Sequence, residues 1–213
     1  MAMIGKSASG QSGKAAPQTR IQRAKREAIL EAGLTVFSEA GFRGATLDRI
    51  ASEAGLSKPN LLYYYPSKEA IYEALLRGLL ETWLDPLQAI DPKGEPVEEL
   101  LGYVRRKLQM SRDFPRQSRL FANEIVQGAP RIMPVLEGEL RGMVDRLSMV
   151  IEGWIAEGRL APVDPRHLMF SVWSLTQHYA DFDVQVRAVL NADDPYPGAE
   201  THLELLFRRL LTP

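Results

Sequence analysis

Residues 46–65 read TLDRIASEAGLSKPNLLYYY, and the fold turns on their pattern. Leu47, Ile50, Ala51 and Ala54 recur at the spacing of one helix face, and Thr46 is placed to cap the free amides ahead of them through its hydroxyl. Gly55 supplies the positive φ that a tight reversal between helices requires. Ser57 stands as the cap of the next segment, Pro59 occupies its first turn, where a missing N–H costs nothing, and Pro66 ends it. Two short helices locked by Ile50, Ala51, Leu56 and Leu61 make a helix-turn-helix. Lys58, Asn60, Tyr63 and Tyr64 are left facing outward on the second one. Lysine suits phosphate or guanine, asparagine pairs bidentately with adenine, and tyrosine offers a hydroxyl to phosphate and a ring to a thymine methyl. Thr46 and Lys68 complete the candidate DNA contacts, Lys68 joining the free N–H groups of the following helix around a phosphate. Successive helix residues face different ways, so Tyr65 is expected to pack inward.

Upstream, Ile29, Leu30, Ala32, Gly33, Val36 and Phe37 keep helical spacing from about Ile21 until Gly41. Residues 1–19 hold Gly, Ser, Ala, Gln and Lys with almost no large apolar side chains, the composition of a flexible basic tail. Within it, GQSGKAA (10–16) falls short of a phosphate loop, because Ala8 stands where the earlier glycine is needed and Ala15 where the metal-binding hydroxyl belongs. No nucleophile-elbow, zinc-protease or dinucleotide motif occurs either, so an enzyme is not expected. Downstream, Ser67 and Glu69 open a helix that Ile71, Ala74, Leu75, Leu79, Leu80, Trp83 and Leu84 carry to Pro86. Further helices are expected near 97–112, 116–127, 131–158, 165–190 and 199–211, punctuated by Pro96, Pro115, Pro130 and Pro165 at their starts and Gly128, Gly158 and Asn191 at their ends. Nothing alternates as a strand does. The chain reads as all-α.

Composition narrows the class. Of 213 residues 45% are hydrophobic and 25% charged, an ordinary globular balance. No apolar run approaches the roughly 18 residues of a membrane span, and no hydrophobic stretch follows the first basic residues, so a cytoplasmic protein without membrane contact is expected. The absence of cysteine removes disulfides and thiolate metal sites. Net charge is −1, unevenly spread: residues 1–69 carry ten Lys or Arg against six Asp or Glu, and residues 70–213 sixteen against twenty-one. That polarity fits a phosphate-facing N-terminal part. Among His167, His178 and His202 only His178 has a carboxylate one turn on, Asp181, so no metal site is expected.

The string IASEAGLSKPNLLYYYPSKEAIYEALL (50–76) resembles the DNA-binding signature of the TetR family through Ile50, Ala51, Ala54, Gly55, Ser57, Lys58, Leu61, Tyr64, Lys68 and Glu69. It departs from the usual pattern at Pro59, Leu62 and Tyr65. The resemblance implies a three-helix DNA-binding domain over 20–66 and a helical ligand-binding and dimerisation domain over 67–213. It further implies a homodimer paired through the last two helices, a repressor on double-stranded palindromic operator DNA, and a small-molecule effector that releases it. Residues 199–211 agree independently, since Leu203, Leu206, Phe207, Leu210 and Leu211 form an apolar stripe that needs a partner.

Further strings, RDFPRQSRLFANEIVQGAP (112–130), SVWSLTQHYADF (171–182), LLYYYPSKEA (61–70) and ETWLDPL (81–87), resemble the pyrimidine-responsive members of that family. This implies control of pyrimidine-utilisation genes, uracil or thymine as effector, and no other cofactor. Uracil presents two N–H donors and two carbonyl acceptors on a flat ring, so its site needs an amide or carboxylate edge between flat walls. Trp173, Thr176, Gln177, Ala180 and Asp181 share one side of a helix, with Gln177 suited to the amide edge. Trp173, Trp83 and Phe121 are candidate walls. The alternative effector is a hydrophobic drug-like or acyl molecule. Gln177 and Asp181 pointing inward favour the polar ring, whereas a tunnel of Met and Leu favours the alternative.

Overall fold

The computed structural model describes residues 20–213, in which helices are the only regular elements and strands are absent. The expected tail, 1–19, lies outside the described residues. The first three helices are α1 (Arg20–Gly44), α2 (Leu47–Glu53) and α3 (Lys58–Tyr64). α1 bends at Gly41, whose φ is 66°, and runs one turn beyond the expected end. Its buried face, Ile29, Ala32, Val36 and Phe37, is the one the apolar spacing marks.

α4 (Lys68–Gln88) opens on Ser67, whose hydroxyl accepts from the Ala70 N–H at 3.1 Å. It lies against α1 so tightly that a Cβ on Gly33 would stand 2.9 Å from Cγ2 of Ile71. Phe37 and Phe42 both meet the ring of Tyr72 edge-on, with centroids 4.9 Å away. Pro86 does not end α4 as the sequence suggests. It sits in the last turn, where burial of Pro86 and Leu87 keeps the chain helical as far as Gln88.

The rest of the chain forms α5 (Pro96–Asp113), α6 (Pro115–Val126), a single turn α7 (Met133–Val135) and a π-helical turn (Leu136–Leu140). α8 (Arg141–Ala156), α9 (Pro165–Asp181), α10 (Asp183–Leu190) and α11 (Tyr196–Leu211) complete it. Proline stands in the first turn of α5, α6, α9 and α11. Two expected helices are corrected. The segment 131–158 is composite, its first turns loosened into the π form before α8 becomes regular. The segment 165–190 breaks at Phe182, which leaves helical geometry at φ −118°, ψ 31°. There α6 takes hold of the chain: Ser118 donates to Asp181, and Arg119 to the Ala180 carbonyl and to Asp183.

α5 is the centre of the larger part, packed between α9 and α11. The apolar stripe of α11 divides. Leu203, Phe207 and Leu211 are buried within the chain, while Leu206 and Leu210 stay exposed, as does Leu205 outside the stripe.

Candidate functional site

The helix-turn-helix is built from local bonds. Thr46 accepts from the Arg49 N–H at 3.2 Å and so caps α2, as expected. At the turn Gly55 adopts φ 64°, and the N–H groups of Gly55 and Leu56 return to the carbonyls of Ser52 and Ala51. Ser57 occupies the cap position of α3, but its side chain makes no capping bond there. The expected hydroxyl cap is therefore absent, and Pro59, with no N–H to satisfy, shortens the list of amides that need one. Ile50, Ala51 and Leu61, all buried, fix the angle between α2 and α3.

Of the residues the sequence points to, Lys58, Asn60 and Tyr63 are exposed, whereas Tyr64 is half-buried and packs against the core. Tyr63 is 72% exposed and meets Tyr64 edge-to-face at 5.1 Å. Asn60 is exposed, and Lys58 is held beside Asp48 at 2.9 Å, an exposed pair that a phosphate can displace. Tyr65 packs inward beneath the guanidinium of Arg26, 5.1 Å from its ring centre. Lys68 differs from the expectation. Its amine donates to the carbonyls of Phe42 at 2.8 Å and Ala45 at 2.9 Å and lies 4.5 Å from the Phe42 ring. It ties off the end of α1 rather than standing free for a phosphate.

A second site lies among α4, α5, α6 and α9, a cavity of about 430 Å³. Trp83 from α4 and Phe121 from α6, rings 5.2 Å apart, form one corner of it. Trp173 and Gln177 from α9 also line it. Aliphatic side chains, among them Leu80, Leu84, Ile125 and Leu140, cover much of the remainder. Trp173 spends its N–H on the hydroxyl of Tyr103 at 2.7 Å.

Asp181 is not among the lining residues, which corrects its expected role. Its carboxylate accepts from Ser118 at 2.6 Å, and burial raises its pKa against the opposing pull of that bond and of Arg119. Thr176 and Ala180 are fully buried in the packing between helices. They share a side of α9 with Gln177 in sequence, but the helix turns them past the cavity edge.

Two features were missed. The first is Lys107 on α5, a cavity residue only 4% exposed, with its amine 4.9 Å from the Trp83 ring. Burial pushes that amine down to about 8, with the charge of Asp181 acting in the other direction. Its signal was present: Leu100, Val104, Leu108 and Ser111 mark the buried side of α5, and Lys107 falls on it. The second is Glu124 on α6, completely buried, which accepts from the Arg131 N–H at 2.9 Å and from its guanidinium at 3.0 Å. That guanidinium lies 3.7 Å from the centre of the Phe42 ring and 5.2 Å from that of Tyr72. α6 also reaches α1 through Arg116, which donates to Glu31 at 2.7 Å.

Comparison with known proteins finds two family models that meet within α4. The model for "Bacterial regulatory proteins, tetR family" matches residues 29–75, and that for "YcdC-like protein, C-terminal region" matches residues 76–212. The HTH-type transcriptional regulator RutR of Escherichia coli (strain K12) is 50% identical over 175 residues, 82% of each chain. Among solved structures, the ketosteroid transcriptional regulator KstR2 of Mycobacterium tuberculosis superposes with a TM-score of 0.70 at 21% identity, covering 94% of this chain and 100% of its own. AibR, solved in complex with isovaleryl coenzyme A and operator DNA, superposes with a TM-score of 0.64 at 17% identity, covering 84% and 96%.

Proposed function

Since this chain belongs to the TetR family of transcription regulators, we propose that it represses pyrimidine-utilisation genes and is released from palindromic operator DNA by uracil or thymine. The observation that carries the effector is the cavity itself, in which flat aromatic walls from Trp83, Phe121 and Trp173 stand beside the amide of Gln177. That amide has both a donor and an acceptor, as the N–H and C=O of a pyrimidine edge demand. Thr46, Lys58, Asn60, Tyr63 and Tyr64 face the operator in this reading, and the domains divide near residue 66.

The reading includes a homodimer. Leu206 and Leu210 on α11, with Leu175 on α9 and Phe182 at the break between α9 and α10, are exposed apolar side chains in the C-terminal part of the chain. Pairing them across a two-fold axis sets two copies of α3 on successive major grooves, about 34 Å apart.

Release is a population shift: the effector favours a dimer whose two reading helices no longer match that spacing, and it acts only through its difference in affinity for the two arrangements. α6 connects the sites. Its Phe121 and Ile125 line the cavity, while its Glu124 holds Arg131 against Phe42 and its Arg116 holds Glu31 of α1. Operator DNA must weaken effector binding by the same factor as effector weakens DNA binding.

Calorimetric titration with uracil, thymine and cytosine, followed by an operator-release assay, tests the reading. Uracil or thymine is expected to bind and to release DNA, and cytosine to do neither. A second reading rests on the aliphatic lining, which suits an acyl or drug-like ligand. Release by such molecules with no response to any pyrimidine would establish it instead.

A further inference from the structure

The polar atoms that face the cavity are unequal in kind. Lys107 brings an ammonium group, a donor only. Trp83 lines the cavity with its ring, while its indole N–H is closed off from solvent and bonded to nothing among the described residues. Gln177 brings one amide. The indole of Trp173 is already engaged with Tyr103, and Asp181, the carboxylate whose charge Lys107 feels, lies outside the lining and is bonded to Ser118. The amine of Lys107 has no carboxylate within ion-pair distance among the described residues. Its favourable contact is the face of the Trp83 ring.

A buried ammonium without a counter-ion is an expensive arrangement that a ligand can relieve by supplying acceptors and negative charge. A neutral pyrimidine supplies two acceptors but also two further donors, one of which must be left against groups that donate as well. Loss of the proton from the imide N–H, which is flanked by two carbonyls, removes that conflict. The nitrogen becomes an acceptor and the charge spreads over the N–C=O edge.

We propose that the cavity holds its pyrimidine as the imidate anion, with the ammonium group of Lys107 as counter-ion. The inference rests on the pyrimidine reading above. The imide proton passes to bulk water as the ligand enters, Lys107 keeps its own proton, and no covalent bond forms or breaks. Selectivity then follows the acidity of the ring as well as its shape. 5-Fluorouracil is close to uracil in size and has a more acidic imide, whereas the methyl group of thymine makes its imide slightly less acidic.

The test is calorimetric titration of the full chain at neutral pH with uracil, thymine and 5-fluorouracil, repeated on Lys107→Met and Gln177→Leu. The expected order is 5-fluorouracil, uracil, thymine, with affinity rising about tenfold for each unit by which the pKa of the ligand's imide is lower. In Lys107→Met the 5-fluorouracil-to-uracil ratio is expected to fall to about one, and in Gln177→Leu to survive although both ligands weaken. The ratio is the readout, so a general loss of affinity does not imitate the result, and thermal melts of both variants establish that they fold. Equal binding of uracil and 5-fluorouracil by the unaltered protein, or a ratio that persists in Lys107→Met, overturns the imidate while leaving the pyrimidine effector standing. Binding of none of the three overturns both.

Discussion

The outer face of α3 and the cavity behind α4 treat their polar groups in opposite ways. On the reading face every group is either in water or already partnered: Thr46 caps α2, Lys58 rests beside Asp48, and Lys68 closes the end of α1. Such a surface costs the folded protein nothing while it waits, and DNA needs only to exchange one set of partners for another. At the cavity Lys107 is buried with only the face of the Trp83 ring against its amine and no carboxylate partner, an arrangement borne at the expense of the fold. On the proposed reading, part of the effector's affinity is stability withheld from the fold. The difference teaches where each kind of recognition stores its energy.

Changes that alter the balance on either side test this contrast. The largest effect is expected from Glu124→Ala, which strands Arg131 against Phe42 and Tyr72. Breaking a buried ion pair costs about 3–5 kcal/mol, read as a lower denaturant midpoint. An unchanged midpoint would show that Arg131 is held by its two rings alone.

Next, Lys107→Met is expected to stabilise the ligand-free protein at pH 7. The folded amine releases its proton near pH 8 and the unfolded one near the ordinary lysine value of 10.5, so between these the unfolded chain binds more protons and stability rises with pH. At pH 7 the penalty is fully present, and its removal is worth up to about 3 kcal/mol. Denaturation of both proteins from pH 7 to 10 should show the rise in the unaltered chain and a flatter profile in the variant. Parallel profiles would mean that the cavity carries no such strain.

On the reading face the numbers shrink. Thr46→Ala removes the α2 cap and is expected to lower stability by about 1 kcal/mol. Lys58→Ala should shift stability by less than about 0.5 kcal/mol, because its pair with Asp48 is exposed. It should nonetheless weaken operator binding and lower the salt dependence by about one counter-ion, measured by fluorescence titration at several salt concentrations. An unchanged salt slope would remove Lys58 from the phosphate contacts.

Legibility in the sequence followed the range of the forces involved. Thr46, Gly55, Ile50 and Leu61 act through bonds and contacts only a few residues away, so α2, α3 and their turn could be read directly. The cavity walls Trp83, Phe121, Trp173 and Gln177 were legible as residue types at helical spacing. What escaped depended on long-range packing. Asp181 turns from the cavity because Ser118, 63 positions earlier, claims it, and the helix around it breaks at Phe182 for related reasons. Lys68 is drawn to carbonyls that a bend at Gly41 presents. Lys107 falls on the apolar side of α5, yet buried lysines are rare enough that residue type and spacing do not mark it as a cavity group.

The contact at Gly33 restricts which motions the reading head can make. Backbone there meets Ile71 with no room for even a methyl group, so α1 and α4 interlock like a tooth in a notch. Sliding one helix along the other would lift the tooth and open a void in a tightly packed layer, whereas pivoting about the notch leaves it seated. Whatever displaces α4 at its far end, beside Trp83 and Leu84, is therefore delivered to α3 as a swing with a fixed fulcrum.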